Sequence, residues 1–260
     1  MIKIGPAGLG GVEEAEERLE RYKKLGLNAC EIAFTYGVYI KEDDAKKIGE
    51  KAKELDIQLT IHAPYWINLN SEEREKIEKS KERILNSLKI GDLLNASLVV
   101  FHPGYYGKMD KKKTFENIKK EILELQEKRK ELKIKTQLAG ETTGKKNVFG
   151  SIEEIKKLVD ETGIRFCLDI AHIKARYGEN RISLKELFKM FKGPLHLHFS
   201  GIEYGEKGEK KHKLTEEKEI EELVKNIPKQ RRVTIINESP MPVEDSVKTL
   251  LKLKEQNRIV

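Results

Sequence analysis

The sequence has no long hydrophobic run and very little cysteine, and both absences restrict what the protein can be. None of its apolar stretches approaches the roughly 20 residues that a membrane-spanning helix needs. The first residues, MIKIGPAGLGG, lack the apolar core of an export signal. Cys30 and Cys167 are the only cysteines, and each lies within an apolar run. We therefore expect a cytoplasmic protein with buried, reduced thiols and no membrane partner.

A glycine-rich phosphate-binding fingerprint is also absent, although the chain begins with several glycines. Gly5, Gly8, Gly10 and Gly11 do not make the GxGxxG pattern. That pattern is typical of a doubly wound dinucleotide-binding sheet, which is the main structural alternative for an alternating α/β sequence. We interpret the four glycines as a tight first turn.

What the chain does contain is a regular alternation of short apolar runs with charged, amphipathic stretches. Strands are predicted at 2–5, 28–34, 57–62, 97–102, 134–141, 164–169, 194–199 and 233–238. Helices are predicted at 13–25, 42–55, 72–94, 113–131, 151–161, 183–191, 216–225 and 243–255. No linker-like segment divides the 260 residues. The fold class predicted is α/β, a single-domain (β/α)8 TIM barrel over residues 1–260.

Six of the predicted strands carry, at or near their carboxyl ends, side chains that can bind a metal ion. These residues are His62, His102, Glu141, Asp169, the pair His196 and His198, and Glu238. Active sites of such barrels lie at the carboxyl ends of the strands, and mixed histidine and carboxylate ligands suit divalent ions, zinc above all. One such residue alone is more often a hydrogen-bonded structural residue. Six at equivalent positions predict a shared metal site.

Further polar residues fall at the same end of the predicted barrel. His172 follows the sixth strand, and His212 lies in the long segment after the seventh. His198 faces the same side of its strand as His196, because side chains two residues apart share a face. His198, Glu209 and Glu31 are further candidates, either as metal ligands or as residues that orient the ligands.

A series of short motifs also occurs in a characteristic order. They are HAPYWINL at 62–69, FHPG at 101–104, GETTG at 140–144, LDIAH at 168–172, HLHFS at 196–200 and NES at 237–239. In this order they resemble the endonuclease IV family of apurinic/apyrimidinic-site endonucleases, within the xylose-isomerase-like barrels. The resemblance covers essentially the whole chain.

The resemblance implies a zinc site of three ions. The first ion would be held by His62, His102 and Glu141, the second by Glu141, Asp169, His196 and Glu238, and the third by His172 and His212. The family's aspartate two residues before the loop histidine is replaced here by Lys210, for which Glu209 or His198 could substitute. We therefore expect two or three zinc ions per chain, with manganese as the alternative ion.

The resemblance further implies hydrolysis of the phosphodiester bond 5′ to abasic sites in double-stranded DNA. A pair of metal ions about 3.5–4 Å apart can activate water and neutralise phosphate charge. Glu141, Asp169 and Glu238 are the expected catalytic residues, and the chain is expected to act as a monomer.

Charge favours a polyanionic partner at the same face. The net charge is +7, and the predicted loops after the strands carry more positive charge than the whole chain. Tyr65 and Trp66 occupy the family's position for residues that insert into the base stack. The predicted phosphate contacts are Lys111, Lys112, Lys113, Lys145, Lys146, Lys174 and Arg176.

Two other functions fit parts of the sequence. A sugar isomerase or epimerase of the same barrel class also places Glu, Asp and His at strand ends, but it typically uses one metal ion. A non-catalytic DNA-damage binding protein could use zinc for structure alone. The extra histidines and the basic loops favour the nuclease.

Overall fold

Eight parallel strands form the centre of the molecule, each within three residues of its predicted bounds. The computed structural model describes residues 1–259 and, at position 179, the backbone alone. The barrel strands are β1 Ile2–Pro6, β2 Ala29–Ala33, β3 Gln58–His62, β4 Leu98–Phe101, β5 Gln137–Glu141, β6 Arg165–Asp169, β7 Leu195–Phe199 and β10 Val233–Asn237. Two further strands, β8 Gly201–Gly205 and β9 Gly208–Lys213, form a separate antiparallel hairpin.

The strand order is β1-β10-β7-β6-β5-β4-β3-β2, and β1 and β2 meet across the remaining gap. There the Gly8 amide donates to the Glu31 carbonyl at 2.7 Å, and the Asn28 amide donates to the Ile4 carbonyl at 3.0 Å. A Cβ at Gly5 would lie 1.6 Å from the carbonyl oxygen of Ala29. Only glycine therefore lets these two strands approach so closely. The predicted (β/α)8 barrel is confirmed.

Helices surround the barrel and pack their apolar faces against it. They are α1 Ala15–Lys24, α2 Glu42–Glu54, α3 Arg74–Leu93, α4 Lys111–Glu131, α5 Ile152–Thr162, α6 Ile170–Tyr177, α7 Leu184–Met190, α8 Glu217–Asn226 and α9 Pro242–Glu255. In α1, for example, Leu19 and Tyr22 are buried, while the intervening Arg21 is exposed and Glu20 is half-buried. Within residues 1–259 no helix combines the length and the apolar character needed to cross a membrane.

Two elements depart from the predicted secondary structure. Helix α6 occupies most of the segment predicted as a loop after the sixth strand, and it begins directly at Asp169, whose side chain accepts the His172 amide at 2.6 Å. The hairpin β8–β9 occupies the segment predicted as a loop after the seventh strand. The strand pattern was not visible because β8, GIEYG, is short and begins and ends in glycine, and β9, GEKKHK, is too charged to alternate apolar and polar residues.

The interior of the barrel is partly polar. Thr60 of β3, Glu31 of β2 and His196 of β7 are all buried and contact one another through the Glu31 carboxylate. Both cysteines are free and buried, as the sequence predicted, with Cys167 in the barrel interior beside Val100 and Ala139.

Candidate metal centre

Four of the residues predicted at the strand ends, His62, His102, Glu141 and Glu238, line one cavity at the carboxyl end of the barrel. The cavity has a volume of about 540 Å³. Its lining includes His62, His102, Glu141, His172, His212 and Glu238. Because each comes from a different segment of the chain, only closure of the barrel brings them together. Three adjoining groups of candidate ligands can be distinguished within it.

The first group is His62, His102 and Glu141, as the resemblance implied. The Nε2 atoms of both histidines lie 3.0 Å from Glu141 Oε2. His62 Nδ1 contacts the Ala63 carbonyl at 2.8 Å, which places a proton on Nδ1 and makes Nε2 the nitrogen that a metal ion would use. Three ligand atoms thus face one point.

The second group is Glu141, Asp169, His198 and Glu238. His198 Nδ1 lies 3.3 Å from Glu141 Oε1 and 3.3 Å from Glu238 Oε1. The sequence analysis placed His196 in this group, and the structure places His198 there instead. Glu141 belongs to both the first and the second group, which is the bridging position expected of it.

Strand register explains the exchange of the two histidines. His198 pairs with Asp169 across β7 and β6, so both lie at the carboxyl end of the barrel. His196 faces the same side but lies two residues deeper, about 6–7 Å along the strand. There His196 Nε2 lies 3.1 Å from Glu31 Oε2. The sequence could not decide between the two positions because it does not give the register.

The third group is Asp169, His172 and His212, with Glu209 beside it. Glu209 Oε2 lies 3.4 Å from His172 Nε2, whereas the Lys210 ammonium is directed toward Glu203 at 3.8 Å. A β-bulge at Lys210 interrupts the alternation of side chains in the hairpin, so Glu209 faces the cavity together with His212. Glu209 therefore offers the carboxylate that position 210 lacks.

The donor atoms of these groups fit a bound cation. His102 Nε2, Asp169 Oδ2 and His198 Nδ1 are buried, and none has a hydrogen-bond partner within residues 1–259. Buried polar atoms in proteins are normally satisfied. The two histidine nitrogens lie 3.0 and 3.3 Å from oxygens of Glu141, and Asp169 Oδ2 lies 3.4 Å from His172 Nδ1. These pairs lack hydrogen-bond geometry, as expected of atoms that share an ion. Imidazole nitrogens with carboxylate oxygens are a donor set that suits zinc.

The pKa values of the acids reflect the same concentration of charge. Burial raises the pKa of Glu141, but the His102 and His198 rings outweigh burial and hold that pKa well below its ordinary value. Burial also opposes ionisation of Glu238, whose pKa is nevertheless lowered to about 2, chiefly by His198. Burial raises the pKa of Asp169 to about 6 in spite of the neighbouring His172. Buried carboxylates that stay ionised attract cations.

Sequence comparison assigns the chain to a family. Residues 19–250 match the family model described as a xylose isomerase-like TIM barrel. The chain belongs to this family. It is 36% identical to an uncharacterized protein of Methanocaldococcus jannaschii over 95% of both chains. A probable endonuclease 4 of Thermoplasma volcanium is 33% identical over 137 residues, 51% of this chain and 46% of that protein. The predicted resemblance is confirmed, although this match spans only about half of the endonuclease.

Solved structures of the same barrel include both nuclease and epimerase relatives. SacUVDE gives a TM-score of 0.76 at 20% identity, over 95% of this chain and 88% of that one. Endonuclease IV from Thermus thermophilus gives 0.72 at 21% identity, over 98% and 99%. A D-tagatose 3-epimerase-like protein gives 0.72 at 22% identity, over 99% and 98%. At such identities the likeness shows the fold alone.

Around the cavity of this xylose isomerase-like barrel, several predicted DNA contacts are exposed. Tyr65 and Trp66 are 57% and 63% exposed, and the Tyr65 ring lies 6.2 Å from that of His62. Lys145 lines the cavity and Lys146 follows it at the surface. The exposed residues Lys111, Lys112 and Lys113 form the first turn of α4.

Two other predicted phosphate contacts are placed elsewhere. Arg176 is buried, and its guanidinium donates to the carbonyls of Lys145 at 2.7 Å and Val148 at 3.0 Å. Lys174 is paired with Glu219 of α8 at 2.6 Å. Both corrections follow from α6, which occupies a segment predicted as a loop and places Arg176 in the interior and Lys174 against α8.

Residues that orient the ligands were largely missed by the sequence analysis. Ser200 Oγ lies 2.7 Å from His212 Nδ1, and the Thr142 carbonyl lies 3.0 Å from His172 Nδ1. Ser200 could have been noticed, because it ends the motif HLHFS. A carbonyl contact leaves no signal in the sequence. Glu31, which was a candidate, contacts both His196 and His198.

Proposed function

We propose that the chain is a metal-dependent endonuclease that hydrolyses the phosphodiester bond 5′ to abasic sites in double-stranded DNA. The observation that carries this proposal is the set of three adjoining ligand groups that share Glu141 and Asp169. A single-ion enzyme needs only one of them. The endonuclease 4 relatives support the same reading of the site.

The residues that would hold the ions are those of the three groups. His62 and His102 would complete a first site with Glu141, and His198 and Glu238 would complete a second with Glu141 and Asp169. When bound, the ions supply an acidified water and neutralise charge on the phosphate. Zinc is the ion that this donor set favours, with manganese as the alternative.

The chain's own residues would fix the spacing and the charge of the site. Glu141 offers Oε2 to the first group and Oε1 to His198 of the second, so its position sets the distance between them. The carboxyl groups of Glu141 and Glu238 have lowered pKa values and therefore stay ionised at neutral pH. Both are thus ready to bind cations without first losing a proton.

The rim would bind the DNA. Lys145 lies at the cavity wall, where its ammonium can meet a backbone phosphate. Tyr65 and Trp66 lie exposed at the mouth, and an inserted aromatic side chain would offset the few kcal/mol needed to unstack the abasic nucleotide.

One feature favours a second candidate, a sugar epimerase. The group Glu141, Asp169, His198 and Glu238 could by itself hold one ion, and a D-tagatose 3-epimerase-like protein shares the fold. The two functions differ in metal content. The nuclease requires two or three ions per chain, whereas the epimerase requires one, manganese or magnesium.

To test the proposal, the zinc-loaded chain is incubated with a DNA duplex that contains one abasic site, in the presence and in the absence of a chelator. We expect nicking on the 5′ side of the lesion, loss of nicking with the chelator, and loss of nicking in Glu141→Gln. The matched control is Glu161→Gln, because Glu161 lies on the outer helix α5 and its ion pairs with described residues are those with Lys119 and Lys157.

Three outcomes would count against the proposal. Tight binding of abasic DNA without cleavage would identify a damage-binding protein. A single bound ion together with epimerisation of a ketose would identify the epimerase. Nicking that persists in Glu141→Gln would point to a contaminating nuclease.

A further inference from the structure

A second concave surface lies at the opposite end of the barrel from the metal centre. It lies between α7, α8 and the segments that lead into β7 and β10, and its volume is about 990 Å³. Half of the lining residues are cationic, and none is acidic. The cationic residues, here called the basic groove, are Lys185, Lys189, Lys192, Lys225, Arg231 and Arg232.

These cations lack the ion pairs that are common elsewhere on the surface. Among the side chains that the structure describes, no carboxylate oxygen lies within 4.0 Å of any side-chain nitrogen of the basic groove. By contrast, the depression between α3 and α4 is lined by both signs of charge, and there Lys81 contacts Glu121 at 3.0 Å. The two concave surfaces therefore differ in the charge balance of their linings, and the basic groove is the one whose described lining carries a single sign of charge.

The floor of the basic groove holds arginines against one another. Arg231 Nε donates to the Gly193 carbonyl at 2.8 Å, and Arg165 Nη2 donates to the Pro194 carbonyl at 2.8 Å. Burial and the neighbouring Arg165 lower the pKa of Arg231. Burial and Arg232 likewise lower the pKa of Arg165. Carbonyl contacts thus fix like charges close together, and an anionic ligand would relieve their repulsion.

We propose that the basic groove binds the phosphate backbone of duplex nucleic acid, independently of the metal centre. Several cations in one trough require a ligand with several negative charges, which a phosphodiester backbone provides along its length. The other polar lining residues are Asn226 and Gln230, whose amides belong to the types that contact phosphate and sugar. Since the basic groove opens at the amino ends of the strands, such binding would leave the cavity of the metal centre free.

A membrane surface fits the basic groove less well. Peripheral binding to a bilayer uses exposed apolar side chains as well as positive charge. Phe188, the aromatic residue in the lining, is 1% exposed and packs inward. The net charge of the predicted loops did not reveal the basic groove, because a net charge does not show how cations and acids are distributed over the rest of the surface.

The test compares two triple variants of the full chain. The groove variant is Lys189→Gln/Lys192→Gln/Lys225→Gln. The control variant is Lys47→Gln/Lys53→Gln/Lys254→Gln, which removes the same charge from exposed positions on α2 and α9. Affinity for an undamaged DNA duplex is measured against salt concentration. We expect the slope of log K against log salt to fall by about 2 to 3 in the groove variant, and by less than about 1 in the control.

The rate of lysine acetylation, measured by mass spectrometry, reports the accessibility of each lysine separately. DNA should slow acetylation of Lys189, Lys192 and Lys225 and leave Lys47, Lys53 and Lys254 unchanged. Equal protection of both sets, or equal loss of salt dependence in both variants, would overturn the proposal. So would binding to anionic phosphatidylserine vesicles with no binding to DNA. Neither measurement uses nicking, so failure of the nuclease proposal would be seen separately.

Discussion

Glu31 Oε1 lies 2.8 Å from His198 Nε2, while His198 Nδ1 faces Glu141 and Glu238. The carboxylate is buried, and Thr60 Oγ1 donates to its other oxygen at 2.8 Å. A carboxylate behind a histidine ligand fixes the ring and increases the basicity of the nitrogen that faces the metal. Glu31 thus connects the barrel interior to the candidate ligands.

We expect Glu31→Gln to weaken zinc binding by about 10- to 100-fold, the usual effect of removing such a partner. The measurement is competition against a chelator of known affinity, which does not depend on any activity. Glu121→Gln is the control, because Glu121 is also a buried acid but pairs with Lys81 far from the metal centre. Unchanged zinc affinity in Glu31→Gln would show that the contact has no influence on the ligand.

The occupancy of the third group can be tested through Glu209. We expect Glu209→Gln to lower the zinc content by one ion per chain, because it removes the carboxylate 3.4 Å from His172 Nε2. Lys210→Gln should leave the zinc content unchanged, since Lys210 is directed toward Glu203. Elemental analysis after dialysis gives both values. Loss of zinc in Lys210→Gln instead would contradict the assignment.

We expect Arg176 to contribute to the stability of the fold and not to the binding of DNA. Replacing it with methionine removes buried, charged hydrogen bonds to several carbonyls. We expect the free energy of unfolding to fall by about 2–4 kcal/mol, measured by denaturant titration.

The matched variant is Lys145→Met, at an exposed position. It should change the free energy of unfolding by no more than about 0.5 kcal/mol while weakening DNA binding. A stable Arg176→Met with reduced DNA affinity would restore the original prediction of a phosphate contact.

Trp66 offers a direct probe of the DNA complex. It is the only tryptophan in the chain, and it is 63% exposed. We expect its fluorescence emission to shift when an abasic duplex binds, because the ring would leave water for the base stack. Trp66→Ala should weaken binding to abasic DNA by about 10-fold, in keeping with the energy of one base–aromatic contact.

The comparison for Trp66→Ala is Tyr36→Ala, an exposed aromatic on the neighbouring loop. That variant should bind abasic DNA as the parent does. Equal loss of affinity for abasic and undamaged DNA in Trp66→Ala would mean that Trp66 does not recognise the lesion.

The sequence predicted the barrel well because its strands are short, apolar and bounded by charged helices. All eight barrel strands lie close to their predicted bounds. The structure also brings most of the predicted ligands together in one cavity, because the carboxyl ends of parallel strands share one face. Whether these residues bind zinc stays a prediction.

The sequence could not show how deep a residue lies in the barrel or in which direction its side chain points. His196 and His198 face the same side of β7, and only the pairing with β6 shows which one reaches the cavity. Arg176 lies in a charged segment that looked like a loop, yet a helix directs it inward. The hairpin was not predicted because β9, the strand that carries Glu209 and His212, has no apolar alternation.

The close approach of β1 to β2 at Gly5 also affects the residues of β2 that face the barrel interior. A methyl group there would collide with Ala29, and the strand that would have to yield is the one that carries Glu31. We therefore expect even a change to alanine at Gly5, which belongs to none of the groups of candidate ligands, to weaken the binding of a metal ion.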